Sequence, residues 1–177
     1  MALKSALINV MVNAATKTAR RMVRDFGEVE QLQVSKKGPA DFVSTTDLRA
    51  ERELKAELSR ARPTYGFLME ESGSHEGSDK AARWIVDPLD GTTNFLHGIP
   101  HFAISIAAEL NGEVVGGVIH DPIRDETFWA EKGSGAYMND RRLRVSARDK
   151  MPDAVFATGI PFLGREGHAP FLATLEA

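Results

Sequence analysis

The sequence predicts an α+β fold, a layered sandwich of helices on a mostly antiparallel sheet, forming one domain over residues 1–177. Three observations lead there. Two segments with apolar residues at three- and four-residue steps open the chain, over 3–26 and 46–61, and a run of short strand-like segments follows from 65 to 130. Between two of those segments stands Asn111-Gly112, the turn chemistry of an antiparallel hairpin. Helices first and strands afterwards suit a layered sandwich better than a doubly wound sheet, in which the two alternate.

Each element has its own warrant. From Leu3 to Phe26, Leu7, Val10, Met11, Ala14, Ala15, Thr18, Met22 and Phe26 form one face, with Lys17, Arg20, Arg21 and Arg24 among them, and Gly27 closes the helix. Leu32 to Ser35 alternates like a short strand ahead of a turn at Lys36-Lys37-Gly38-Pro39. A second helix is expected from Thr46 to Ala61, capped by Thr45 or Thr46, with Leu48, Leu54 and Leu58 as its stripe and Pro63 as its stop. Tyr65 to Met69 and Arg83 to Asp87 read as strands separated by a polar loop, Ser72 to Lys80. Phe102 to Leu110, Glu113 to Ile119, Glu126 to Ala130 and Val155 to Thr158 read as further strands, with a turn at Asn139-Asp140 and a closing helix from Gly167. The Gly116-Gly117 pair marks a bulge or a close packing contact.

Composition excludes several function classes. A net charge of -3 offers no footprint for nucleic acid or an anionic membrane, so any anionic substrate must be held locally. The absence of cysteine removes disulfides, thiolate metal sites and a cysteine nucleophile. The first residues lack the continuous apolar stretch of a signal peptide, and the expected location is cytoplasmic.

The chemistry lies in Trp84-Ile85-Val86-Asp87-Pro88-Leu89-Asp90-Gly91-Thr92-Thr93-Asn94-Phe95. An apolar strand ends in an aspartate, Pro88 forces an extended exit, and Asp90-Gly91-Thr92 opens a turn or short helix. Asp87 and Asp90 can therefore turn toward one point, together with the Leu89 carbonyl, and an all-oxygen set of that kind suits Mg²⁺. The N–H groups of Gly91 and Thr92 would form an anion site beside it. Upstream, the adjacent carboxylates Glu70 and Glu71 at a strand end repel each other unless a cation lies between them. Blander readings apply to the rest: Lys36-Lys37 as an exposed turn, Asp47 as a carboxylate complementing a helix dipole, and His97, His101, His120 and His168 as surface or partly buried residues too scattered for zinc.

Together these segments resemble the inositol monophosphatase family. Trp84 to Thr93 is similar to its metal-binding signature, Glu70-Glu71-Ser72 to its acidic pair, and Lys36 to Asp47, ending in Thr45-Thr46-Asp47, to its metal-binding loop. The resemblance implies the layered fold shared with fructose-1,6-bisphosphatase and a Mg²⁺-dependent, lithium-sensitive phosphomonoesterase acting on inositol monophosphate. It implies that Glu70, Asp87 and the Leu89 carbonyl hold one metal and Asp87 with Asp90 a second, while Thr92 and Asp47 orient the attacking water. Asp90, Gly91, Thr92 and Thr93 would meet the substrate. It further implies a homodimer, expected also from apolar residues at 102–110 and 152–162, and a possible partnership with the transcription machinery. Alternatives are a broad-specificity sugar-phosphate phosphatase or a regulatory protein on the same fold. Thr93 rather than Lys after Thr92 favours the inositol phosphate reading over nucleotidase-like relatives. The family's second signature, a Trp-Asp pair, is not found before Ala177, so this polypeptide alone is expected to bind one Mg²⁺ weakly and to turn over little.

Overall fold

The computed structural model describes residues 3–28, 34–38, 41–161 and 166–176, the side chains of 34–38 and 41–43 excepted. Helix α1 (Ala6–Gly27) starts later than its apolar pattern, because the Ser5 side chain caps it by accepting the N–H of Ile8. Its stripe Ile8, Met11, Ala14, Ala15, Thr18, Ala19 and Met22 is buried. Strands β1 (Val34–Gly38) and β2 (Asp41–Ser44) pair antiparallel. The turn expected at Lys36 is thus corrected: ladder pairing carries the strand on to Gly38, while Leu32, Gln33 and Pro39 lie outside the described residues.

Helix α2 (Thr45–Ala61) is capped by Ser44, not by Thr45 or Thr46. The Ser44 hydroxyl accepts the N–H groups of Thr46 and Asp47, and the Asp47 carboxylate returns the bond to the Ser44 N–H at 2.9 Å. Its buried stripe also differs from the expected one. Leu48 is 45% exposed, while Asp47, Ala50, Glu51, Leu54 and Leu58 face inward. Asp25, near the end of α1, fastens this helix by accepting the Thr46 hydroxyl at 2.9 Å and the Arg49 guanidinium at 2.6 Å.

The remaining strands are β3 (Gly66–Met69), β4 (Gly73–His75), β5 (Ala82–Asp90), β6 (Ala103–Leu110), β7 (Glu113–Asp121), β8 (Glu126–Glu131), β9 (Gly135–Met138) and β10 (Arg141–Arg142). Among the described residues they form one sheet in the order β10-β9-β8-β7-β6-β5-β3-β4. Neighbours are antiparallel except β3 and β5, which run parallel. The hairpin between β6 and β7 turns on Asn111 and Gly112, both at positive φ as a type I′ turn requires. Strand β4 falls inside the segment read as a polar loop, and β9 and β10 are too short to carry a periodic signal.

Helix α1 lies over β6, β7 and β8, and α2 lies over β5. A Cβ on Gly116 would stand 3.3 Å from Ile8 Cδ1, so the small residue lets α1 settle on the sheet. The pairing also slips by one residue there, Ala108 facing Gly116 but Glu109 facing Val114, so the glycine pair marks close packing beside a bulge. Two expectations fail in this part. Val155 to Thr158 is not a strand: no partner edge reaches it among the described residues, and Val155 and Phe156 are 93% and 72% exposed. Phe102, Ile104 and Ile106 do not offer surface to a second copy, because they are buried in the chain's own core. Helix α4 (His168–Glu176) forms where expected, with Leu172 and Leu175 exposed.

Candidate active site

The parallel pair delivers the first two carboxylates. Met69 stands opposite Val86, and the Glu70 N–H continues the ladder to the Val86 carbonyl at 3.2 Å, so Glu70 and Asp87 leave adjacent strand ends on the same side of the sheet. The Glu70 side chain is close enough to act on the Asp87 carboxyl. Burial pushes the Asp87 carboxyl up; Glu70 and the bond from the Leu89 N–H, at 3.0 Å, oppose the rise, while the charges of Asp90 and Asp47 add to it.

Pro88 does not end the strand, as its sequence position suggested. Strand β5 continues to Asp90 through a one-residue bulge, with Asp87 paired to Ser105 and Asp90 to Ala103. The bulge accommodates a residue that cannot donate to the ladder and turns the Leu89 carbonyl out of it. Gly91 follows at φ +93, where an added Cβ would lie 3.0 Å from the His101 carbonyl oxygen, so both conformation and space demand glycine. Helix α3 (Thr92–Leu96) then begins, with Thr93 in its first turn. The Phe95 ring packs edge-on against Phe102 with centroids 5.0 Å apart, and Phe26 packs tilted against the Phe102 ring at 5.0 Å.

The Thr92 hydroxyl lies 3.0 Å from Asp47 Oδ1 and 3.0 Å from the Leu89 carbonyl oxygen. Asp47 is wholly buried at the start of α2, and its other oxygen accepts the Ser44 hydroxyl at 2.5 Å. The residues named from sequence thus fall on three strand or helix ends that meet. Among the described residues, no three Asp, Glu or His side chains are already gathered into a metal cage. The donor set nevertheless fits a hard divalent cation. It is all oxygen, and neighbouring carboxylates at adjacent strand ends repel each other, a repulsion that such a cation would offset.

Sequence reasoning missed two contributors. Ser44 is buried against Asp47, a capping-box pattern visible in Ser44-x-x-Asp47. A cavity of about 520 Å³ also opens beside Asp90 and Gly91, lined in part by Asn94, His101, Arg124 and Glu126. Arg124 is ion-paired to Asp121 at 2.7 Å. Burial opposes ionisation of Asp121, yet bonds from the Arg124 and Ile123 N–H groups and the guanidinium hold its carboxyl below the ordinary range. His97 and His101 lie exposed at the surface as expected, whereas His120 is 2% exposed and shares a 2.9 Å hydrogen bond with Thr127, a partner no local pattern announces.

Comparison with known proteins bears on the fold and the family. The family model described as Inositol monophosphatase family matches residues 3–177. An inositol-1-monophosphatase of Rhizobium meliloti is 60% identical over 173 residues, 98% of this chain and 65% of the relative. A Nus factor SuhB of Pseudomonas aeruginosa is 42% identical over 158 residues, 88% of this chain and 58% of the relative. The crystal structure of the extragenic suppressor protein suhB from Bartonella henselae is 60% identical with a TM-score of 0.94, covering 97% of this chain and 66% of that one. The chain thus spans 58–66% of the length of these relatives. It belongs to the inositol monophosphatase family.

Proposed function

We propose that the protein is a Mg²⁺-dependent phosphomonoesterase that hydrolyses inositol monophosphate. The observation that carries this is the convergence of the Glu70–Asp87 pair with the Asp47–Thr92 hydrogen bond at the ends of β3, β5 and α2. Glu70, Asp87, the Leu89 carbonyl and Asp90 would hold the metal. Bound Mg²⁺ supplies a lowered pKa for the attacking water and positive charge for the leaving ester oxygen. Asp47 takes the Thr92 proton in a hydrogen bond, which leaves a lone pair on the Thr92 oxygen to accept a proton of the water and aim it. The N–H groups of Gly91 and Thr92, with Thr93 beside them, receive phosphoryl oxygens as charge spreads over the group.

Identity to the relatives named inositol-1-monophosphatase supports the substrate. In a chain extended to the length of these relatives, phosphate release from inositol 1-phosphate is expected to cease on chelation, to return with Mg²⁺ but not Zn²⁺, and to be inhibited by Li⁺. Turnover that survives chelation sinks the proposal. A panel of sugar phosphates tests the broad-specificity alternative. A cytoplasmic location is proposed; among the described residues no helix is long and apolar enough to cross a membrane. A homodimer is also proposed, now on the exposed Val155, Phe156 and Ile160 alone, and sedimentation as a stable monomer at micromolar concentration removes it. The relatives named Nus factor SuhB favour a second, additional reading, a partnership with the transcription machinery, tested by complex formation with purified RNA polymerase.

A further inference from the structure

The buried face of α2 carries two acids one turn apart. Asp47 receives the Thr92 hydroxyl, and Glu51, four residues on and therefore on the same face, is 6% exposed. Its Oε2 accepts the backbone N–H of Glu71 at 2.9 Å and that of Ser72 at 3.3 Å. These amides belong to the three-residue turn 70–72 between Met69 and Gly73, which are paired across β3 and β4. The turn's other N–H, that of Glu70, goes to the Val86 carbonyl. Each amide of the turn is therefore fixed from outside it, one by the sheet and two by Glu51.

Packing alone does not account for this residue. A buried carboxylate is costly unless its hydrogen bonds compensate it, and an apolar side chain of similar volume would fill the same space without that cost. What the carboxylate adds is a charge-assisted grip on two consecutive amides, which sets the backbone direction from which the Glu70 side chain leaves toward Asp87. Helix α2 then orients both ends of the candidate site from one face, Thr92 through Asp47 and Glu70 through Glu51.

We infer that Glu51 is a positioning residue: it touches neither metal nor substrate, and it holds the Glu70–Ser72 turn so that Glu70 is presented as a metal ligand beside Asp87. This rests on the metal reading proposed above. Groups that orient ligands in this way are worth about 10–100-fold in metal affinity.

The test compares wild type, Glu51→Asp and Glu51→Gln in a chain extended to the relatives' length, with Mn²⁺ as a paramagnetic probe of the site and amide hydrogen exchange at Glu71 and Ser72 recorded without metal. Aspartate keeps the charge but is one methylene too short to reach both amides, so exchange at both should quicken and Mn²⁺ affinity fall about tenfold or more. Glutamine keeps the reach and an acceptor oxygen but weakens both hydrogen bonds by removing the charge, and should lose less Mn²⁺ affinity than Glu51→Asp. Glu51→Asp with wild-type Mn²⁺ affinity, whatever its melting temperature, overturns the inference, and so does Glu51→Gln proving the more damaged of the two. Unprotected Glu71 and Ser72 amides in wild type overturn it without any variant. Wild type that binds no Mn²⁺ overturns the metal reading itself and the inference with it, an outcome distinct from wild-type binding that Glu51→Asp leaves untouched.

Discussion

The Thr92 hydroxyl donates to Asp47 Oδ1 at 3.0 Å across a sequence separation of 45 residues, joining the exit of β5 to the first turn of α2. Thr92→Val preserves shape and removes the hydroxyl. If that oxygen aims the attacking water, kcat should fall by about 10²-fold or more, a larger effect than the about 1–3 kcal/mol of stability lost with the hydrogen bond to buried Asp47. Steady-state kinetics at saturating Mg²⁺ decide it, and an unchanged kcat would remove Thr92 from the chemistry.

Glu70→Gln and Asp90→Asn should each abolish most of kcat while leaving the far-ultraviolet dichroism intact. Both side chains are exposed at strand ends, so neither contributes to the core. A variant that melts early but turns over normally would reassign its residue to a structural part.

Gly91→Ala should cost about 1–3 kcal/mol of stability, read by urea denaturation, because residue 91 sits at φ +93 and the new methyl group would stand 3.0 Å from the His101 carbonyl oxygen. The same change should lower turnover by shifting the N–H groups of residues 91 and 92. A fully stable Gly91→Ala variant would show that this turn can relax.

His120 gives a pH prediction. Burial holds its imidazole pKa below the ordinary value, against the opposing charges of Asp125 and Asp121. The unfolded chain therefore takes up a proton first as pH falls. The contribution of His120 to stability is complete above about pH 6.5 and is lost as pH drops from there through the depressed folded value. Melting temperatures followed from pH 8 to pH 5 should decline in that window, and His120→Gln should flatten this part of the curve. An identical decline in both proteins would place the titration elsewhere.

Much of this protein was determined by local sequence. Strict apolar spacing marks α1, Asn111-Gly112 marks the hairpin, and Asp87-Pro88-Leu89-Asp90-Gly91-Thr92 marks the candidate site, because each depends on side-chain periodicity or on backbone conformations that few residues tolerate. Val155 to Thr158 has strand-like residues and forms no strand, since pairing needs an edge that lies elsewhere in space. The acids of α2 escape a local reading for a related reason. A hydrophobic pattern places Leu48 inside and leaves Asp47 and Glu51 as surface charge, whereas the buried stripe includes both, each compensated by donors more than a dozen residues away. Only the tertiary structure decided that β3 and β5 run parallel. That direction brings Glu70 and Asp87 out of the sheet side by side; an antiparallel pairing of the same two segments would have put them at opposite ends.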